Sequence, residues 1–295
     1  MTNVYTICYQ KFVKLYVLTN VDSNDLMYLS ETMKRILIIY IILCSSAGFC
    51  QNQKLTATFL HTKTFLADTL IGLDGMENYY SIKNNVFIKQ NETQTWEYKN
   101  ITLGKITKVD IINPLKIVLF YEYFNTVITL DNQLNEIQKI NFSDINNAIV
   151  VSKIGMAAQN QFWIYNTLNQ QIGLFDSTSN VYKFLGQPIQ EIIKYTQSDF
   201  NYFQWIDAKN RWYTCDIFGK IAFIGTVPDF KQIQIIDNDR LILYDGEKLY
   251  YQNNKTQTLL EIAIVEKSFE KFYYKDQILA IFTNQEITNY KITIP

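Results

Sequence analysis

The sequence predicts an all-β chain folded as a β-propeller, with six four-stranded blades closed into a ring by an N-terminal strand. Three observations predict it. Ile, Val, Tyr, Phe and Thr fill short apolar runs of four to seven residues, broken by clusters of Asn, Asp, Gly and Lys; such runs are strands and such clusters are turns. A hairpin unit of apolar strand, polar turn and second strand recurs six times, and its mean spacing near 40 residues is that of a propeller blade. Finally, one strand-like segment at the start has no blade, while the last unit lacks its outermost strand.

The N-terminus is set aside before the repeats are counted. Met33-Lys34-Arg35 precedes an uncharged stretch from Ile36 to Leu43, followed by Cys44-Ser45-Ser46-Ala47-Gly48-Phe49-Cys50-Gln51. A basic start, a short apolar run and a small-residue end are the parts of a secretory signal peptide. The run is shorter than the roughly 20 residues that span a bilayer. Cleavage after Cys50 puts Gly48 and Cys50 at the −3 and −1 positions and leaves Gln51 first. Residues 1–32 then read as an upstream extension ahead of the true start at Met33, 33–50 as the signal peptide and 51–295 as one propeller domain. Lipidation of Cys50 is the alternative, which bulky Phe49 before it disfavours. Residues 51–295 keep one cysteine, Cys215, and one histidine, His61. An intramolecular disulfide is thereby excluded, and a packed core must supply the stability.

The segment Lys54-Leu55-Thr56-Ala57-Thr58-Phe59-Leu60 is the strand without a blade. It is expected to complete the last blade and so remove the free edges of an open ring. The first hairpin runs from Tyr79 to Lys89, and the second pairs Lys116–Phe120 with Val127–Asp131. The third pairs Phe162–Tyr165 with Ile172–Asp176, and the fourth Arg211–Thr214 with Lys220–Ile224. Leu241–Tyr244 with Leu249–Tyr251 makes the fifth, and Ile278–Phe282 with Ile287–Ile292 the sixth. The starts at 79, 116, 162, 211, 241 and 278 give steps of 37, 46, 49, 30 and 37. Short strands ahead of each hairpin, such as Ile106–Ile111, Ala148–Ser152 and Gln232–Ile236, supply the inner strands. The continuous apolar runs Ile117–Tyr121 and Leu241–Tyr244 suit strands covered on both faces. Helical spacing is scarce; Asp144–Val151 and Gln190–Tyr195 have room for a turn or two. A β-sandwich pair would not require a 40-residue period, and an outer-membrane barrel needs longer, strictly alternating strands.

The Lys-Arg signal segment ending before Gln51, the bias to Asn, Lys, Ile and Tyr, and phrases such as Gln161-Phe162-Trp163-Ile164-Tyr165 with Gly173-Leu174-Phe175-Asp176 carry a resemblance. The chain resembles the secreted six-bladed propellers of flavobacteria and other Bacteroidota. That resemblance implies a propeller fold and a cell-envelope location, in the periplasm, at the outer membrane or outside the cell, and carries over no catalytic residues. Asp68-Thr69-Leu70 likewise resembles the Asp-Ser/Thr-aliphatic acceptor of periplasmic O-glycosylation in that phylum.

The search for chemistry excludes more than it finds. Lys plus Arg number 27 against 28 Asp plus Glu, a net charge of −1 with no basic block, so a polyanion-binding nucleic-acid module is not expected. No two glycines stand two apart and there is no Walker loop, C-x-x-C or H-E-x-x-H. No cofactor is expected. His61, the single histidine of 51–295, reads as an ordinary side chain at a strand end, and Cys215 in Trp212-Tyr213-Thr214-Cys215 as a buried small hydrophobe. Asp237 and Asp239 with Asp245 form an acidic grouping that could hold Ca²⁺ or act as an acid/base pair, against their use in turns around Leu241–Tyr244. Aromatic residues are the abundant resource. Tyr123, Tyr202 and Trp205, from the dense clusters Phe120–Phe124 and Phe200–Trp205, are the candidate binding residues, expected to be exposed. The expected function is an exported binding or scaffold module for a protein or glycan partner, monomeric or in a hetero-complex. The rival is a hydrolase or lyase using carboxylates in the central channel.

Overall fold

A computed structural model describes residues 54–266, 268–283 and 285–295; the proposed upstream extension, signal peptide and Cys50 lie outside the described residues. The described chain holds 25 strands and a single 3₁₀ turn. In chain order, two short strands come first, β1 (Lys54–Thr56) and β2 (Thr58–Thr64). Blade 1 is β3 (Thr69–Leu73), β4 (Tyr79–Lys83), β5 (Val86–Gln90) and β6 (Thr95–Tyr98). Blade 2 is β7 (Lys108–Asp110), β8 (Ile117–Tyr121), β9 (Thr126–Leu130) and β10 (Glu136–Asn141). β11 (Val151–Met156), β12 (Gln161–Asn166), β13 (Gln171–Asp176) and β14 (Val181–Leu185) make blade 3. Blade 4 is β15 (Ile193–Ser198), β16 (Tyr202–Asp207), β17 (Arg211–Asp216) and β18 (Ile221–Thr226). Blade 5 is β19 (Gln232–Ile235), β20 (Arg240–Tyr244), β21 (Leu249–Asn253) and β22 (Thr258–Ala263). Blade 6 has β23 (Lys271–Lys275), β24 (Ile278–Phe282) and β25 (Glu286–Lys291) from its own segment, and β2 as its outermost strand. Each blade is an antiparallel meander, so the expected six-bladed ring is the observed one.

The N-terminal strand closes the ring, with one refinement. The segment divides at Ala57 and serves two blades. β2 pairs antiparallel with β25, from Thr58 opposite Lys291 to Thr64 opposite Glu286, while β1 lies parallel to β22 as a fifth strand of blade 5. Immediately after β2, Phe65 donates its N–H to Gln285 O at 2.7 Å. Its ring is 2% exposed and sits edge-on to Phe282 and against Tyr79, so the junction of blades 6 and 1 is sealed by aromatic packing.

The fourth hairpin of the sequence reading is out of register by one strand. Arg211–Thr214 and Lys220–Ile224 are the third and fourth strands of blade 4, and the second strand is Tyr202–Asp207. Counted on true second strands, which begin at 79, 117, 161, 202, 240 and 278, the steps become 38, 44, 41, 38 and 38. The irregular 49 and 30 were the signature of that slip. Neither segment given room for helical turns forms one; Ile193–Ser198 is a strand, and the 3₁₀ turn falls at Glu122–Phe124 between β8 and β9.

Middle strands carry the core. Every residue of β8 and β9 is buried, because blades press on both faces, and each large apolar side chain so buried contributes about 1.5–3 kcal/mol. Turns in this glycine-poor chain are closed by side chains. Asp131 Oδ1 accepts the N–H groups of Gln133 and Asn135, Asp176 those of Thr178 and Ser179, and Asp216 those of Phe218 and Lys220. Such Asx turns replace a backbone turn with a carboxylate or amide acceptor. Asn84, Asn85, Asn125, Asn160, Asn180 and Asn210 adopt positive φ, where Asn is the best tolerated residue after glycine.

At the centre, inner strands of neighbouring blades belong to separate sheets, and side chains bridge them. Gln197 of β15 donates from Nε2 to Ile235 O and accepts the Ile235 N–H at 3.0 Å. Gln234 of β19 repeats the arrangement one blade on, donating to Tyr274 O and accepting the Tyr274 N–H, both at 2.7 Å. Asp110 of β7 accepts the Met156 N–H at 2.8 Å from β11. Two glycines permit the remaining approaches. A Cβ on Gly155 would lie 1.9 Å from Ser198 Oγ, and one on Gly72 would lie 2.7 Å from the Tyr273 ring.

Two stability predictions follow from closure and clasp. A chain lacking 54–64 should melt about 10 °C or more below the intact protein by circular dichroism; an unchanged melting temperature contradicts closure. Gln234→Leu leaves a backbone N–H and C=O of Tyr274 unpaired, at a cost of about 2 kcal/mol, seen as a melting point lowered by about 4–8 °C. No change would show that the amide does not hold the blades.

Candidate functional site

Because each blade is an up-down meander, the loops leading into the inner strands and the loops between second and third strands emerge on one face. At that face the inner strands begin, and they begin with lysine. Lys108 opens β7, Lys153 is third in β11, Lys194 is second in β15 and Lys271 opens β23, while Lys231 directly precedes β19. Blade 1 has Asp68 and Thr69 at the equivalent place. Five lysines within a residue or two of the start of five inner strands, in a chain of net charge −1, are a local feature of the channel mouth.

They are not equivalent. Lys194 Nζ turns to Asn210 Oδ1 at 2.9 Å and lies 4.2 Å from the Phe230 ring centroid, and Lys231 lies along Gly246 of the neighbouring loop. Lys108, Lys153 and Lys271 form no ion pair or side-chain hydrogen bond with any described residue. Lys108 is open to solvent along the channel yet enclosed by the ring. That enclosure lowers its pKa, with Asp110 acting against the shift and Lys153 with it. Lys271 is pushed down to about 8 by burial and then by the charge of Lys108. Lys108 therefore feels the charge of Lys153, and Lys271 that of Lys108. Beyond them, burial and the nearby carboxylates of Asp110, Asp276 and Asp74 push Tyr273 up to about 12.

A cavity of about 240 Å³ opens beside this cluster, between the inner strands of blades 2, 3 and 4, with Lys108, Lys153, Ser152, Thr196 and Glu122 among its walls. A second, of about 270 Å³, shares Ser152 and Lys153 and continues along Tyr165, Gln170, Ile189 and Gln190. Thr107 Oγ1 is occupied, donating to Phe120 O and accepting the Glu122 N–H. Ser152 and Thr196 make no side-chain hydrogen bond to a described residue. The arrangement is suited to holding an anionic group with hydroxyl-bearing neighbours, since lysine acts as a point charge for carboxylate, sulfate or phosphate.

Glu122 in the cavity wall makes no side-chain hydrogen bond or ion pair with a described residue, whereas the aspartates near the channel are engaged. Asp110, the one acid within an inner strand, accepts the Ile112 N–H at 2.9 Å and the Met156 N–H at 2.8 Å; burial raises its pKa against those two bonds and Lys108. Asp74 accepts from Met76, Asn78 and Tyr80, and Asp199 from Asn201 and Tyr202.

Of the residues singled out from sequence, Trp205 is corrected. It is 3% exposed, stacked on Tyr213 at 5.3 Å between centroids, in the middle of a second strand covered on both faces. The register slip had left that strand looking like a connection between blades. Tyr123 is 86% exposed in the 3₁₀ turn next to Glu122, on the lysine face; half-buried Tyr202 starts β16 on the opposite face. The three aromatics do not share a surface. The calcium grouping is also corrected, because among the described residues no three His, Cys, Asp or Glu side chains stand together as a metal site. Asp237 closes its turn through the Asp239 and Arg240 N–H groups and pairs with the Arg240 guanidinium at 2.6 Å, while Asp245 accepts from Glu247 and Lys248 across the blade, on the other face. His61 lies within outer strand β2, with Nε2 3.0 Å from Asn289 Nδ2. Cys215 is fully buried, its thiol pushed up to about 12 by that burial. The sequence reading missed the lysines. Their signal was present, at 108, 153, 194, 231 and 271, spaced 45, 41, 37 and 40 apart.

No family model matches the chain, and no curated protein matches it. Solved structures do. The chain is similar to the propeller domain of Myceliophteria thermophila Cps50 (Swd1), at 9% identity over 80% of this chain and 100% of that one, with a TM-score of 0.54. It is similar to BBS1N, crystallised with ARL6DN, at 9% identity over 81% and 98% with a TM-score of 0.55. Virginiamycin B lyase from Staphylococcus aureus gives 11% identity, 82% and 96% coverage and a TM-score of 0.51. The chain shares the propeller fold of these proteins. Identities this low carry the fold alone.

The lysine cluster yields a pH prediction. A lysine depressed to about 8 in the fold binds fewer protons than the unfolded chain between there and its ordinary value of 10.5, so its charge burdens the fold below about pH 8 and the burden lifts as pH rises toward 10.5. Lys271→Met should therefore melt above the wild type at pH 7, with the gap closing between about pH 8 and 10.5. A gap constant with pH contradicts the depressed value.

Proposed function

We propose that this chain is an exported, envelope-associated propeller that acts as a binding or scaffold module for a protein or glycan partner, without catalysis of its own. The observation that carries this reading is the employment of the carboxylates. A hydrolase or lyase working from the channel needs a pair of acids free to exchange protons. Here the inner strands supply Asp110 alone, held by two backbone N–H groups, and Asp74, Asp199 and Asp237 at the strand ends are closed into turns. The groups left free at the channel mouth are lysines, hydroxyls and the one carboxylate of Glu122, a set suited to binding and without a pair of acids.

Export rests on the basic, apolar and small-residue succession of 33–50 and on the resemblance to secreted propellers. The test is fractionation of cells making the full reading frame with a C-terminal tag, followed by N-terminal sequencing and mass spectrometry of what copurifies. The proposal expects the chain in the envelope or exported fraction, beginning at Gln51, with a reproducible protein or glycan companion. Retention of Met1–Glu31 in the cytosol, or no reproducible companion from the native envelope, contradicts it.

A further inference from the structure

We infer that the channel mouth between blades 2, 3 and 4 is a binding site for an acidic saccharide, its carboxylate held between Lys108 and Lys153 and its next sugar ring lying along Tyr165 and Gln170. This deepens the binding reading above and rests on it.

Three independent features meet there. The first is the surplus of charge. Lys108, Lys153 and Lys271 lack ion-pair partners among the described residues, and Lys108 feels Lys153 as Lys271 feels Lys108, yet the fold keeps all three near the starts of three inner strands. Like charges held together without counter-ions repel one another, and a site that keeps them is one where a ligand of opposite sign supplies the compensation. Glu122 is the single carboxylate in the first cavity's wall, against Lys108, Lys153 and Lys194.

The second feature is the shape. The two cavities, of about 240 and 270 Å³, share the wall formed by Ser152 and Lys153. Each has room for one pyranose ring, and the shared wall places the junction between rings at Lys153. The third is the division of chemistry between them. The first cavity offers ammonium groups with the free hydroxyls of Ser152 and Thr196, which match a carboxylate flanked by ring hydroxyls. The second offers a tyrosine ring, two glutamines and the side chain of Ile189, the mixture of apolar surface and a few directional polar groups that orients a neutral ligand. The acid of the second cavity, Glu191, is already paired with Lys209 and lies 3.4 Å from Arg211, so it does not repel the ligand. An acidic peptide would meet the lysines equally well but would leave the second cavity's amides without ring hydroxyls to bind.

The experiment is isothermal titration calorimetry of the full chain with cellobiouronate and with its neutral counterpart cellobiose, alongside inorganic sulfate and a tetra-aspartate peptide. The expected result is binding of cellobiouronate at least tenfold tighter than each of the other three. Lys108→Met/Lys153→Met should lose that preference, Lys153→Arg should keep it, and Tyr165→Ala should weaken the disaccharide while leaving sulfate unchanged, with each variant's fold checked by its melting curve. Equal binding of cellobiose, sulfate or the peptide overturns the inference, as does a folded double variant that binds like the wild type. Mass spectrometry of the recovered sugar separates this inference from the broader one. Intact cellobiouronate supports both, whereas cleaved sugar bound at these residues keeps the site and overturns the non-catalytic reading.

Discussion

Inner strands that approach the axis of a six-bladed ring cannot pair with one another as a sheet does, and the whole molecule is arranged around that constraint. Each inner strand presents an unpaired edge toward the next blade, and unsatisfied buried backbone groups are costly. Side chains with both a donor and an acceptor answer it. Gln197 and Gln234 each satisfy one N–H and one C=O of the following inner strand, a side-chain imitation of a ladder rung. Asp110 satisfies one N–H, and the absence of a side chain at Gly155 lets it approach. At the rim the same closure is made by backbone, with β2 on β25. The ring is thus fastened twice, by chain connectivity outside and by amides inside.

Polar residues spent on fastening are unavailable for chemistry. The aspartates beside the channel close turns or bridge blades, the single described cysteine packs as an apolar group, and His61 stands on the outermost strand. Lysine remains. Three such groups without partners among the described residues make a small volume of positive potential within a chain of near-zero net charge. Fold and site are connected here: the geometry that forbids pairing at the axis creates the channel, and the channel concentrates the charge.

The strands and the period could be read from sequence because both are local properties. Runs such as Ile117–Tyr121 announce a doubly covered strand, and Asp and Asn mark its turns through hydrogen bonds they make within four residues. Register was harder. In blade 4, Gln204 interrupts an otherwise aromatic second strand, since its amide accepts the Trp212 indole N–H inside the core, and that polar residue made Tyr202–Asp207 look like a connection. The error then carried to Trp205, which seemed free to bind. The division of the closing segment at Ala57 depends on where β22 ends, which no local pattern states. The lysines were the least legible. Each is an ordinary residue in or beside a strand, and only the correct blade register shows that all five stand near the starts of inner strands.

The central claim is that Lys108, Lys153 and Lys271 share an enclosed, uncompensated positive site that an anionic ligand completes. Its most direct measurement is the titration of those three ammonium groups by NMR on the full chain carrying isotopically labelled lysine, assigned by single Lys→Arg variants, with and without cellobiouronate. The account predicts that Lys271 titrates near pH 8 in the free protein and Lys108 below its ordinary range, and that both move upward when the acidic sugar is added and stay unmoved with cellobiose. Titration of both at the ordinary lysine value, with no response to the acidic sugar, would contradict it.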